Sequence, residues 1–222
     1  MVGIKIAKER NQGIKILCLG AHCDDIEIGC GGTLLSLLEE YPRTEVYWIV
    51  LSSDPRREKE ARSSARLFLK QAEKKTIKIE KLRNGFFPYN GRKIKDYFEE
   101  QKKKFSPNII FTHYKMDLHQ DHRLVSELTW NTYRNHLILE YEIPKYDGDF
   151  GSPNLFSPLG SSVCDLKINS ILASFTSQGD KHWFTSDLLY SILRLRGMEC
   201  GSSTKNAEAF YCRKILLELP RP

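Results

Sequence analysis

The stretch Ile16-Leu-Cys-Leu-Gly-Ala-His-Cys-Asp-Asp-Ile-Glu-Ile-Gly-Cys-Gly-Gly-Thr33 decides how the rest of the chain reads. An apolar run ends in a histidine and two adjacent aspartates, and a glycine cluster follows. Ile14 to Leu19 is short and rich in Ile and Leu, the composition of a parallel strand buried on both faces. His22, Asp24 and Asp25 then fall at its C-terminal end, where open α/β sheets bind their ligands. Gly29 to Glu40 predicts a helix, with Leu34, Leu35, Leu37 and Leu38 as its apolar face and Tyr41-Pro42 ending it.

Working outward, Glu45 to Leu51 reads as a second strand. Ser53 or Asp54 is placed to cap the next segment, with Pro55 at its first helical position and Ala61, Ala65 and Leu69 at helical spacing. Thr76 to Leu82 alternates in the manner of an edge strand, and Asn84 to Gly91, carrying Phe86, Phe87 and Tyr89, reads as a loop. Ile94 to Phe105 predicts a helix stopped by Ser106-Pro107, and Asn108 to His113 a fourth strand. Strands alternating with helices imply a parallel sheet covered on both faces. In the usual order 3-2-1-4, strands one and four are neighbours that send their helices to opposite sides, which makes the crevice between them the switch point. The segment Tyr114 to Arg123, Y-K-M-D-L-H-Q-D-H-R, therefore faces the His-Asp loop after strand one, and a helix is expected from there through Leu137.

The remainder is less regular. Glu140 to Gly160 holds three prolines and three glycines and reads as a substrate-side excursion. Leu166 to Phe175 and Ser186 to Arg196 are candidate helices, and Ala209 to Cys212 is a candidate last strand. The length of 222 residues suits one domain spanning 1–222. Hydrophobic content of 41% with 28% charged residues is that of a globular chain, and no apolar run approaches the ~20 residues of a membrane span. The charged N-terminus is not a signal peptide, so a cytoplasmic location and reduced thiols at the six cysteines are expected. The net charge of +6 favours anionic ligands, but Lys102-Lys103-Lys104 and Lys74-Lys75 read as solvated helix ends, and no motif argues for nucleic acid. A homo-oligomer is compatible with all of this.

His22, Asp25 and His122 offer two nitrogens and one oxygen, three protein ligands that leave a position for water, as in a catalytic zinc site. Such an ion lowers the pKa of bound water towards ~7 and polarises a carbonyl. Asp24 is free to accept the water proton, and His119 to stabilise an oxyanion or protonate a leaving amine, with Asp121 or Asp117 orienting a histidine ring. Gly29, Gly31 and Gly32 suit either a close backbone approach to a phosphate or tight packing at a helix start, but G-x-G-x-x-G is absent. His113 reads as a polar cap on its strand, and His136 and His182 as structural or surface residues.

The segment Ala21-His-Cys-Asp-Asp-Ile-Glu-Ile-Gly-Cys-Gly-Gly-Thr33 closely resembles the A-H-P-D-D-E signature of the PIG-L/LmbE-like deacetylases, and Asp117-x-His-x-Asp-His122 resembles their second metal motif. Arg57-x-x-Glu60 and the terminal Arg196-Gly with Ala207-Glu-Ala-Phe210 are similar to further family patterns. The resemblance implies a Rossmann-like three-layer α/β fold, with the metal at the C-terminal ends of strands one and four. It also implies a zinc-dependent hydrolase, with ferrous iron as the other candidate ion, that removes acetyl groups from N-acetylated sugars and their conjugates. Residue by residue it implies His22, Asp25 and His122 as metal ligands, Asp24 as general base, His119 with Asp121 as oxyanion stabiliser or acid, and Arg57 as a substrate contact. Cys23 stands where the family carries proline or a small residue, and Phe175 where many relatives carry histidine. The competing readings are a non-catalytic sugar-binding module of the same fold and a 2-His-1-carboxylate iron oxygenase, whose sites belong to antiparallel β-barrels.

Overall fold

The computed structural model describes residues 2–6 and 13–216. Seven strands form one sheet in the order β3-β2-β1-β4-β5-β7-β6. β1 (Lys15–Gly20), β2 (Glu45–Val50), β3 (Lys74–Ile79), β4 (Ile109–His113) and β5 (Leu137–Tyr141) are parallel, and β7 (Ala207–Tyr211) runs antiparallel to both β5 and β6 (Leu155–Pro158). The expected 3-2-1-4 order is present, and β3 is an edge strand on which Lys74, Lys75 and Lys78 discourage further pairing.

The pleat divides the core in two. Ile16, Cys18, Val46, Trp48, Val50, Ile109 and Phe111 face α1 (Asp25–Glu40), α2 (Pro55–Phe68), α5 (Ser161–Ser174) and α6 (Ser186–Glu199). Their neighbours in sequence, Leu17, Leu19, Tyr47, Ile49 and Ile110, face α3 (Gly91–Lys104) and α4 (Gln120–Thr132). Period-two alternation of apolar residues that are buried on both sides is what a central parallel strand demands.

Several boundaries differ from expectation; α5 begins at Ser161, not Leu166, and β3 is Lys74–Ile79, not Thr76 to Leu82. The first helix begins at Asp25, four residues before the glycines, so the three glycines lie inside it. Each meets a fixed neighbour: a Cβ on Gly29 would stand 2.2 Å from the Tyr141 ring, on Gly31 2.7 Å from Phe68, and on Gly32 2.5 Å from Leu159. Tight packing, not a phosphate, explains them. The helix expected through Leu137 ends at Thr132, and Leu137 instead opens the strand Leu137–Tyr141. The Glu140 to Gly160 excursion begins within β5 and contains β6.

A buried ion pair packs against α1 beside β7. Glu208 accepts the Gly32 and Thr33 N–H groups (2.7 Å each), while Lys167 of α5 donates to Glu208 (2.5 Å) and to the Ile28 carbonyl (2.7 Å). The pair thus adds charged partners to backbone groups in the middle of the continuous helix Asp25–Glu40. Among the described residues no helix is long and apolar enough to cross a membrane.

The Tyr141 hydroxyl donates to the Leu19 carbonyl (2.6 Å), so its ring cannot yield to a side chain on Gly29. Gly29→Ala is expected to lose roughly 1–3 kcal/mol of stability through overpacking. Gly91→Ala, whose Cβ would meet only Leu124 at 3.9 Å, should be neutral or gain up to about 1 kcal/mol. Thermal and denaturant unfolding of both variants measures the contrast.

Candidate active site

β1 delivers Ala21 and His22 to the switch point, and the chain turns at once into α1 with Asp24 as N-cap and Asp25 as the first helical residue. The His22 N–H donates to Asp25 Oδ2 (2.6 Å), which closes the turn and fixes the carboxylate. From the other side, β4 and the loop behind it bring His122 in the first turn of α4. His22 Nδ1 lies 3.1 Å from His122 Nε2 and 3.5 Å from Asp25 Oδ2, and His122 Nε2 lies 3.7 Å from Asp25 Oδ1. A tetrahedral ion with ligand bonds of about 2.0–2.1 Å separates its ligand atoms by about 3.4 Å. The separations among the three side chains are of that order, with His22 nearest one Asp25 oxygen and His122 nearest the other.

His119 joins His22 and His122 in one grouping of metal-competent atoms, and His113 joins Asp25 and His122 in a second. Asp25, His113 and His122 form the buried floor, whereas His22 and His119 are partly exposed. His113 is not merely a strand cap. It is fully buried, its ring stacks on His122 at 3.9 Å, and its Nε2 accepts the Ala21 N–H (2.9 Å) and stands 3.1 Å from Asp25 Oδ2. The signal for it was available, because T-H at the end of β4 mirrors A-H after β1.

The two flanking aspartates of the second motif serve different rings. Asp117 Oδ2 lies 2.9 Å from His122 Nδ1, an arrangement that directs the His122 Nε2 lone pair towards Asp25 and His22. Asp121 was expected to support His119, but its carboxylate faces His22 Nε2 (3.3 Å) and accepts the Gly85 and Phe87 N–H groups (2.7 and 3.0 Å). Only the Asp121 backbone N–H reaches His119, donating to Nδ1 (3.2 Å), so a neutral His119 carries its proton on Nε2. Arg57, expected at the substrate, donates to Asp24 Oδ1 (2.7 Å) from the first turn of α2, which Asp54 caps by accepting the Arg56 and Arg57 N–H groups. Cys23 is buried and donates to the Ser52 carbonyl (3.3 Å); burial and the neighbouring aspartates push its thiol up to about 12 despite Arg57, so it is a packing residue. Phe175 is fully buried in the core, and Glu60 of α2 accepts from Ser177 just beyond it.

The charges of the metal-free cluster are unevenly shared. Burial works against a proton on His22, but Asp25 and Asp121 outweigh it and raise its pKa to about 10. Burial and the adjacent His113 hold His122 down to about 3 against Asp25 and Asp117. Asp25 stays well below the usual carboxylate range: burial opposes its charge, and His122, His113 and His22 together prevail. Burial likewise opposes the Asp117 charge, yet the hydrogen bond from His122 brings it to about 2. Burial and His22 lower His119, which favours its neutral form. One proton on His22 thus stands where a cation would otherwise balance the carboxylates.

Fold and cluster together define an α/β protein of the type that gathers histidine and aspartate at the switch point of a doubly wound sheet. The PIG-L family model, described as GlcNAc-PI de-N-acetylase, matches residues 17–133, and the chain belongs to that family. No curated protein sequence matches the chain significantly. Among solved structures, the N,N'-diacetylchitobiose deacetylase of Pyrococcus horikoshii is similar at 22% identity and a TM-score of 0.68, over 89% of this chain and 83% of that one. A zinc-inhibited form of teicoplanin deacetylase Orf2 is similar at 12% identity and a TM-score of 0.66, over 88% and 96%. GalB, the 4-carboxy-2-hydroxymuconate hydratase of Pseudomonas putida KT2440, is similar at 14% identity and a TM-score of 0.72, over 94% and 100%. Identities this low speak for the shared fold, and the hydratase shows that the fold alone does not choose the reaction.

The shifted groups predict how the metal-free protein responds to pH. The raised pKa of His22 gives a stabilisation complete below its ordinary 6.5 and lost as pH climbs towards about 10. The lowered pKa of His122 works oppositely, removing stability as pH falls from 6.5 towards about 3. Denaturant midpoints measured in a chelator should peak near pH 6.5, and His22→Asn should flatten the alkaline side. An alkaline slope unchanged in that variant contradicts the assignment.

Proposed function

We propose that the chain is a divalent-metal-dependent hydrolase, with zinc as the ion, that removes the acetyl group of an N-acetylated sugar or sugar conjugate. The observation that carries this reading is the spacing of 3.1, 3.5 and 3.7 Å among His22, Asp25 and His122, in a chain of the PIG-L family. His22 Nδ1, Asp25 and His122 Nε2 would hold the ion, which supplies a polarised amide carbonyl and a water of lowered pKa.

The chain's own groups supply the rest. Asp24, six per cent exposed beside the ligands, is oriented by Arg57 and accepts the proton of the attacking water. His119, neutral and protonated on Nε2 because Asp121 N–H occupies Nδ1, donates a hydrogen bond to the oxygen that becomes negative as water adds to the carbonyl carbon. Breaking the C–N bond leaves the nitrogen with an electron pair that takes up the proton collected by Asp24. The products are acetate and a free amino sugar.

The substrate fits an amino sugar bearing a phosphate or nucleotide, of the kind consumed in polysaccharide assembly. Phe86 and Tyr89 are exposed on the segment whose Gly85 and Phe87 amides bind Asp121, and the Arg83 guanidinium lies 3.6 Å over the Phe86 ring. Phe87 is buried and belongs to the core. An aromatic ledge with a surface cation suits a ring and an anion beyond the reacting sugar.

Acetate release from a panel of N-acetyl sugars and their phosphorylated or nucleotide-linked forms is the test. Asp24→Asn should lower kcat by roughly 10²–10⁴-fold with zinc content near that of the unaltered protein. Full activity in that variant refutes its role, and hydration of an unsaturated acid without acetate release would favour the chemistry of the hydratase neighbour.

A further inference from the structure

Two separate ion clusters pin the excursion between β5 and β6. In one, Arg196 of α6 donates to Glu142 (2.8 and 3.0 Å), to Glu199 and to the Gly151 carbonyl (3.1 Å), and the Tyr211 hydroxyl donates to Glu142 (2.8 Å). That cluster reaches the motif loop only through Tyr211, whose ring stacks on Tyr114 at 3.6 Å, and it meets none of the candidate ligands. In the other, Lys145, its side chain 12% exposed, donates to Asp117 Oδ2 (2.9 Å) and to Asp149 (2.6 Å), and Asp149 accepts the Leu118 N–H (2.7 Å). This second cluster ends at the site, because the same Asp117 oxygen faces His122 Nδ1 at 2.9 Å and the other accepts the His119 N–H at 2.8 Å.

The three candidate ligands are held by unequal means. Asp25 sits in the first turn of α1, and the His22 N–H is tied to it. His122 lies in the first turn of α4, but its ring orientation depends on a carboxylate in the irregular segment between β4 and α4. A buried ammonium is costly unless it is paired and hydrogen-bonded. Lys145 meets that condition only where Asp117 and Asp149 converge, so excursion and motif loop fix one another.

We propose that Lys145 is a positioning residue for the metal centre. By holding Asp117 against His122 Nδ1 it keeps Nε2 turned towards His22 and Asp25, so metal affinity depends on the Lys145 contact itself and not on the excursion as a whole. The inference rests on the metal reading of the site.

Zinc affinity by chelator competition, together with the visible spectrum of the cobalt-loaded full-length chain, tests it in four variants. Lys145→Met should weaken zinc binding by about 10-fold or more, the cost typical of losing a partner behind a metal ligand, and should alter the cobalt spectrum. Lys145→Arg should restore both. Asp149→Asn, a milder change should Lys145→Met fail to fold, should shift affinity the same way by less. Arg196→Met, which loosens the same excursion at its other staple, should lower the Tm and leave zinc affinity in place. Wild-type affinity in Lys145→Met and Asp149→Asn, or an equal loss in Arg196→Met, overturns the proposal while the metal reading stands. An unaltered protein that binds neither zinc nor cobalt overturns both.

Discussion

Everything at the switch point depends on one buried carboxylate. Asp25 opens α1, where the exposed amide dipoles of a helix N-terminus favour a negative charge, and it accepts the His22 N–H at 2.6 Å. That bond bends the chain so that β1 can end in a histidine facing inward. The imidazoles of His22, His113 and His122 then gather round the carboxylate and keep it ionised. With Asp25 neutral or absent, three histidines would converge with only Asp117 and Asp121, on the outer sides of their rings, to offset a cation or a shared proton.

The framework that holds this carboxylate is rigid for steric reasons. α1 lies close on the sheet and its neighbours because Gly29, Gly31 and Gly32 present no side chains to Tyr141, Phe68 and Leu159. Beside β7, the buried Lys167 and Glu208 pair bonds to its backbone at Ile28 and Gly32. The same Tyr141 that requires Gly29 also hydrogen-bonds β1, so helix, sheet and floor of the site are fixed by one packed unit.

Much of this was legible in the chain itself. Short apolar runs ending in histidine predicted β1 and β4, and alternation with helices predicted their adjacency and the facing of the two motif loops. β5 was hidden because no glycine or proline occurs between Asp121 and Ile143 to punctuate the sequence, so its first residue was read as the end of a helix and its last two as the start of the excursion. The glycines announced close packing without saying against what, since Tyr141 and Leu159 are more than a hundred residues away. The ligand types were readable from two motifs, whereas the partners of each ring were not. Asp121 supports His22 through space, and Arg57 meets Asp24 from another helix. Lys145, in a segment that sequence marked only as an excursion, reaches Asp117 for the same reason.

The central claim is that His22, Asp25 and His122 form one metal centre. X-ray absorption at the zinc edge, read together with anomalous diffraction from a zinc-loaded crystal, tests it most directly. The account predicts one ion per chain, bound by two imidazole nitrogens and a carboxylate oxygen, with its anomalous peak between His22 Nδ1, Asp25 and His122 Nε2. A sulfur ligand from Cys23, or a peak away from this trio, would contradict it.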